Sequence, residues 1–194
     1  LHPRKRFYAG GSRSVRGYGE NQLGPRILTI APSLLVDTAR ANPCTQETLL
    51  AGTCDPNGIP SDDFQPRPLG GNTVLEGNLE YRFGLSETIG AAVFVDAGSV
   101  GEGGASPFAG GFSAVTPGFG FRYQSPIGAV RIDLGIRPTL TEELPVVTQV
   151  TAADGDARII RLETPKRYDP LEGTSGIDKL LRRLALHLSI GQAF

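Results

Sequence analysis

Leu186-His187-Leu188-Ser189-Ile190-Gly191-Gln192-Ala193-Phe194 ends the chain, with apolar groups at Leu186, Leu188, Ile190 and Phe194 and polar or small groups between them. A period of two over this length is that of a strand with one apolar face. An aromatic at the tip suits a strand whose end rests at a membrane–water interface. In water, an exposed apolar terminal strand is an aggregation hazard unless a partner strand or a bilayer covers it. Taken alone, the segment fits two architectures: the last strand of an outer-membrane β-barrel, or an ordinary buried last strand of a soluble β-domain.

The same alternation recurs upstream. Residues 127–137 set Val130, Ile132, Leu134 and Ile136 against Arg131, Asp133, Gly135 and Arg137. Residues 115–124 set Phe119, Phe121 and Tyr123 against Gly118, Gly120, Arg122 and Gln124, with Ser125-Pro126 marking a tight turn between the two runs. In 90–98, Ala91, Val93, Val95 and Ala97 oppose Ala92, Phe94, Asp96 and Gly98. In 72–83 the face is clear only from Asn78 onward, with Leu79, Tyr81 and Phe83 opposing Asn78, Glu80 and Arg82.

One face is thus aliphatic or aromatic, and the other is small or charged with both signs. Alternation alone suits a soluble sandwich as well as a barrel. Three details favour a barrel in lipid. The strands run to about ten residues, the length of a tilted bilayer crossing. The charges Glu80, Asp96, Arg122, Arg131 and Asp133 can pair across a wet lumen. The Ser125-Pro126 turn is short while other connections are long, the asymmetry of periplasmic turns and extracellular loops.

Between these runs lie a Gly-rich connection (101–111) and two long excursions. The first follows Ile27–Ile30 and Leu34–Val36, which Pro32 separates, so they do not form one central strand. It spans 37–71 and holds Cys44 and Cys54 among Pro, Gly, Asn, Asp and Thr, without a His or second Cys pair to complete a zinc site. A loop disulfide in an oxidising compartment is the natural reading, and two free thiols the other. The second excursion spans 138–182. There Val146–Val150 and Arg158–Leu162 flank Ala153-Asp154-Gly155-Asp156, a hairpin signal. Ser175 is placed to cap a short helix over Gly176–Arg183.

Composition narrows the function classes. The 194 residues carry 19 basic and 20 acidic groups, a net charge of -1, which gives no case for a nucleic-acid partner. The local run Arg4-Lys5-Arg6, with Arg13 and Arg16, reads as a solvated or internally paired loop. No apolar run reaches the length of a membrane helix. With no methionine, the chain is expected to be a processed product or the C-terminal part of a longer protein. No catalytic constellation is found: His2 and His187 are far apart, His187 falls on the polar side of the last strand, and Ser12 and Ser14 have no base nearby. No cofactor or metal site is expected.

The segment Arg6-Phe7-Tyr8-Ala9-Gly10-Gly11-Ser12-Arg13-Ser14-Val15-Arg16-Gly17-Tyr18 lacks the Gly-Lys-Ser/Thr ending of a phosphate loop. It offers a Gly-Gly bend followed by an arginine that can reach a carboxylate, with Gly17 letting the backbone approach closely. With LGGN (Leu69–Asn72), NLEYRF (Asn78–Phe83), VFVDAG (Val93–Gly98), GFGFRYQSPIGAVRIDLG (Gly118–Gly135) and the terminal LHLSIGQAF, it resembles the BamA/TamA outer-membrane assembly factors. Their relatives include two-partner secretion transporters and organelle import channels. The blocks occur in the family's order and cover most of the chain outside the excursions.

That resemblance implies an all-β chain, the C-terminal part of a sixteen-stranded transmembrane antiparallel barrel with two long extracellular loops. Residues 1–71 would hold the inward-folded loop and an extracellular insertion. Residues 72–137 would be four transmembrane strands, 138–182 an extracellular loop with a hairpin and short helix, and 183–194 the terminal strand. Missing strands and periplasmic POTRA domains would lie upstream, since five strands cannot close such a barrel.

In the family the loop folds into the lumen. The motif Val15, Arg16, Gly17 and Tyr18 would put Arg16 against Glu80 and Asp96, with Arg122, Arg131 and Asp133 as further lumen charges. Leu188, Ile190, Gly191 and Phe194 would form the terminal-strand signal. The implied function is insertion of β-barrel proteins into the bacterial outer membrane through a lateral seam, without covalent chemistry. Its partners would be outer-membrane lipid, unfolded β-barrel clients, and accessory subunits or lipoproteins. Export of a partner protein by a transporter of the same superfamily, and a passive porin-like barrel, are the alternatives. For the two excursions, partner binding, a lid and lineage-specific decoration all stay open.

Overall fold

A computed structural model describes residues 5–39, 43–101, 112–126, 128–138, 141–151 and 155–190. His2, Ala153, Asp154, Gly191 and Phe194 lie outside the described residues, as does nearly all of the Gly-rich connection. In chain order the elements are β1 (Arg26–Ile30), α1 (Pro32–Leu35), α2 (Gln46–Ala51), β2 (Gln65–Pro68), β3 (Thr73–Gly84), β4 (Ile89–Gly101), β5 (Phe112–Ser125), β6 (Gly128–Ile136), β7 (Glu142–Leu144), β8 (Val146–Thr151), β9 (Ala157–Arg161), β10 (Lys166–Tyr168), α3 (Gly176–Leu181) and β11 (Leu184–Ile190). Two compact units result, one from 1–25, 68–139 and 175–194, the other from 26–67 and 140–174.

The first unit is built on a five-stranded antiparallel sheet in the order β11-β6-β5-β4-β3. β3, β4 and β5 run to 12, 13 and 14 residues, β6 and β11 to 9 and 7. Register follows from the alternation. Asn78 faces Asp96, Asp96 faces Thr116, Gly120 faces Asp133, and Asp133 faces His187, so the polar residues fall on one face across all five strands. The other face carries Leu79, Tyr81, Val93, Val95, Val115, Phe119, Phe121, Ile132, Leu186, Leu188 and Ile190, all exposed. Its aromatics pair along the strands, Phe119 edge-to-face with Phe121 at 6.4 Å between centroids, and Tyr81 with Phe83 at 6.0 Å.

The second unit joins the two excursions. Its four-stranded sheet has the order β2-β1-β8-β9, and β7 pairs with β10. β8 and β9 form the antiparallel hairpin expected around Gly155, but β1 pairs with β8 in parallel, Leu28 beside Val146. Read as separate surface excursions in the sequence, these segments share one hydrophobic core: Leu28, Ile30, Leu35, Leu49, Cys54, Ile59, Phe64, Leu144, Val146, Val150, Leu162 and Tyr168. Pro32 opens α1 at its first turn, where a missing N–H costs nothing. Thr45 and Thr48 form a capping box on α2, which Gly52 ends at φ +77°. Cys44 and Cys54, which bracket α2, are joined by a disulfide with Cα atoms 5.6 Å apart.

α3 also departs from expectation. It ends at Leu181, and Ser175 makes no side-chain hydrogen bond to its first turn.

Candidate functional site

Residues 6–25 form a folded loop whose contacts are with the polar face of the five-stranded sheet. Phe7 bridges Gly71 through two 2.8 Å backbone hydrogen bonds, and the Leu23 N–H donates to the Ala9 carbonyl at 3.0 Å. Inside this bend the Gly11 N–H donates to the Tyr18 carbonyl, and the Tyr18 N–H to the Val15 carbonyl, each at 3.1 Å. Val15, Arg16 and Tyr18 are all buried.

Arg16 is the centre. Its backbone N–H donates to Asp96 Oδ2 at 3.0 Å, its Nε to the same oxygen at 2.8 Å, and its Nη2 to Asp96 Oδ1 at 2.9 Å. Its Nη1 donates to Glu80 Oε2 at 2.6 Å and to Asp133 Oδ2 at 3.3 Å. The guanidinium lies 3.3 Å from the centroid of the Phe94 ring. The Arg16 carbonyl meets His187 Nε2 at 2.9 Å. One loop residue therefore holds β3, β4, β6 and β11 together. The fork geometry matters: only a guanidinium supplies donors to three carboxylates while stacking on a ring.

Further arginines complete the charge pattern. Arg122 donates to Asp133 Oδ1 at 2.5 Å and to Glu80 Oε1 at 3.1 Å. Arg82 reaches Glu80 at 2.6 Å, and Arg131 lies 3.1 Å from Asp133. Arg131 also donates to the Ser12 carbonyl at 2.6 Å, Ser14 bonds Glu76, and Asn78 bonds Asp96. Asp96 and Asp133 are completely buried, a placement tolerable only with every lone pair engaged.

Two glycines make the contact possible. A Cβ on Gly135 would collide with the Arg16 carbonyl and the Gly17 N–H, and one on Gly17 would collide with Thr116. At Gly135 the loop backbone lies directly on the sheet backbone, and at Gly17 the missing side chain leaves the room that Thr116 fills.

The structure thus brings Val15, Arg16, Gly17, Tyr18, Glu80, Asp96, Arg122, Arg131 and Asp133 into one cluster. Leu188 and Ile190 stand on the opposite, apolar face, and Cys44 and Cys54 belong to the other unit. The direct bond from Arg16 to Asp133, the Phe94 stack and the close-approach role of Gly135 were not foreseen. Strand parity carried a hint of Phe94, an aromatic between the small and charged residues Ala92 and Asp96 on its face of β4. Among the described residues no group of His, Cys, Asp and Glu is arranged to hold a metal. The arrangement is an ionic latch between a loop and a sheet.

A sheet with ionic groups buried on one face and bare aliphatic and aromatic groups on the other is the wall of a membrane β-barrel. A sequence model of the Omp85 superfamily domain matches residues 1–144, and the chain belongs to the Omp85 superfamily. The match takes in the loop and strands β3 to β6, which form part of such a barrel. Members of this superfamily are non-enzymatic outer-membrane factors of protein assembly or secretion.

Proposed function

We propose that this chain is the C-terminal wall of an outer-membrane barrel that inserts other β-barrel proteins into the bacterial outer membrane. The single observation behind this reading is the latch: Arg16 bound at once to Glu80, Asp96 and Asp133, with His187 of the terminal strand on its carbonyl. A passive pore has no need of a loop tied to its last strand. An insertase does, because β11 is the strand that must pair weakly at the barrel seam. Its free N–H and C=O groups can then template an incoming client strand.

In this reading the polar face lines the lumen, the apolar face meets lipid, and the two short turns are periplasmic. The disulfide-clipped unit is extracellular, where an oxidised cysteine pair persists. The clients are unfolded β-barrel proteins, and no covalent chemistry is involved.

The test is reconstitution of the protein in phospholipid vesicles with an unfolded outer-membrane client. Client folding, read by protease protection and heat-modifiable migration, is expected to accelerate. Tethering β11 by a disulfide to the barrel's first strand is expected to stop it. Ion conductance without client folding, or folding unaffected by the tether, would overturn the proposal.

A further inference from the structure

The polar face of β11 carries Ala185, His187 and Ser189, opposite Gly135, Asp133 and Arg131 of β6. Only the middle one reaches the folded loop. Ala185 and Gly135 are small where the Arg16 carbonyl lies against the sheet backbone, so the loop passes within reach of the imidazole two residues along. His187 Nε2 stands 2.9 Å from that carbonyl oxygen. A carbonyl oxygen only accepts, so Nε2 holds the proton and donates. Asp133, directly opposite His187 in the register, has its two oxygens engaged by Arg16, Arg122 and Arg131.

Arg16 is thus tied to the sheet in two unequal ways. Its N–H and guanidinium make five hydrogen bonds to carboxylates on β3, β4 and β6. Its carbonyl holds β11 through a single bond with an uncharged acceptor, and bonds to carboxylates are roughly twice as strong as neutral ones. Among the described residues no other side chain of β11 bonds to the loop. Three carboxylates make the Arg16 carbonyl a fixed point, and one imidazole attaches the terminal strand to it.

That single tie falls on the strand with the most freedom. β11 ends the sheet order and, among the described residues, pairs with β6 alone, over seven positions. The twist between neighbouring strands ranges over about 25°, so a strand held by one ladder can swing about it. Only a contact to something other than β6 stops the swing, and the His187 bond to the loop is such a contact.

We propose that His187 is a positioning residue. It clasps the terminal strand to the latched loop and so sets the angle at which the outer edge of β11, the one not paired with β6, meets an incoming strand. This inference deepens the insertion reading and rests on it, and the experiment separates the two.

The full-length protein is reconstituted in phospholipid vesicles with spin labels on Leu188→Cys and Val95→Cys, both exposed on the apolar face. The native cysteines are joined to each other and do not compete for label. The distance between labels reads the position of β11 against β4. A narrow distribution is expected with His187 present, a broad one with His187→Leu, and a narrow one again with His187→Gln, whose amide N–H can donate to the same carbonyl. His187→Leu is expected to slow the folding of an unfolded outer-membrane client about two- to tenfold, the factor that one net hydrogen bond represents, and His187→Gln to restore it. The barrel's thermal transition, read by heat-modifiable migration, should fall far less than in Arg16→Ala.

A distribution that stays narrow in His187→Leu overturns the proposal, as does a broad one with client folding at the wild-type rate. So does a thermal transition lowered as far as in Arg16→Ala, which would make His187 a part of the ionic interior and no more. If the distribution broadens and narrows as expected but no protein folds the client, wild type included, the clasp stands and the insertion reading falls. If the wild type folds the client and His187→Leu changes neither width nor rate, the insertion reading stands and the clasp falls.

Discussion

The two units of this chain are inside out relative to each other. In the sheet unit the buried groups include Arg16, Asp96, Thr116, Arg122 and Asp133, while Phe119, Phe121 and Leu188 stand bare. In the disulfide-clipped unit Leu28, Leu35, Leu49 and Val146 are buried, while Gln65, Arg67, Arg158 and Arg161 are exposed. Both units use strands, both alternate, and both obey the same chemistry. What differs is the medium outside. Against water, burying aliphatic area contributes about 25 cal/mol per Å², so the core must be apolar. Against hydrocarbon that gain vanishes, and internal cohesion has to come from hydrogen bonds and ion pairs.

The sharpest way to break this contrast is to remove the centre of the ionic interior. Arg16→Ala leaves Glu80, Asp96 and Asp133 facing one another with their main cation gone. Deleting one partner of a buried pair costs about 3–5 kcal/mol. The barrel's thermal transition, read by heat-modifiable migration, should fall accordingly, while protease resistance of 26–67 stays at the wild-type level. Arg16→Lys keeps the charge without the fork and should fall in between. A wild-type transition for Arg16→Ala would mean that the latch does not stabilise the sheet.

The second test compares two residues that a solvent-accessibility figure cannot distinguish. Leu79, near the middle of β3, is 78% exposed, and Ile159 on β9 is 76% exposed. If the media differ as argued, Leu79→Arg costs about 2–4 kcal/mol at mid-membrane depth, and Ile159→Arg stays within about 0.5 kcal/mol. Equilibrium folding into vesicles from urea measures both. Equal costs would mean that one solvent surrounds both units.

The third test acts on the other side of the contrast. Cys44→Ser with Cys54→Ser opens the short loop around α2 and should cost about 2–3 kcal/mol. Faster amide exchange and proteolysis are expected in 26–67 and 140–174, with the barrel transition unmoved. Loss of the barrel transition as well would show that the two units fold as one.

How much of this was legible in the sequence follows the same divide. β3 to β6 were readable because a strand between lipid and polar interior must alternate along its whole length, and Leu79-Glu80-Tyr81-Arg82-Phe83 does so without interruption. That parity puts Glu80 and Asp96 on one face, and the resemblance of Val15–Tyr18 to a known loop supplied the arginine. Parity is silent on depth, so nothing in it marked Asp133 as a third carboxylate within direct reach of Arg16. It is equally silent on close approach, since Gly135 reads like any small residue until a backbone is laid against it. The clipped unit was opaque for another reason. Its core pairs Leu28 with Val146 through a parallel register, and its strands run only 3–6 residues, too short for a period to emerge.

The smallest effect expected is a pH dependence confined to the water-facing unit. Glu172 accepts hydrogen bonds from the Ser61 hydroxyl and from the Ser61 N–H, the latter at 2.8 Å, and these hold its carboxyl below the usual 4.5. A lowered value means that the folded state binds the proton less well than the unfolded chain. The contact is therefore fully stabilising above the ordinary carboxylate range, and its contribution is lost as the pH falls through the depressed value. Glu172 is exposed, so solvent screening limits the contribution to about a few tenths of a kcal/mol. Glu172→Gln should accordingly melt slightly below wild type at neutral pH and converge with it in acid, as followed by amide exchange in residues 56–64. Parallel profiles across that range would show that the carboxylate stabilises nothing there. Since the contact lies in the unit built for water, the exchange of β3 to β6 should not distinguish the two proteins at any pH.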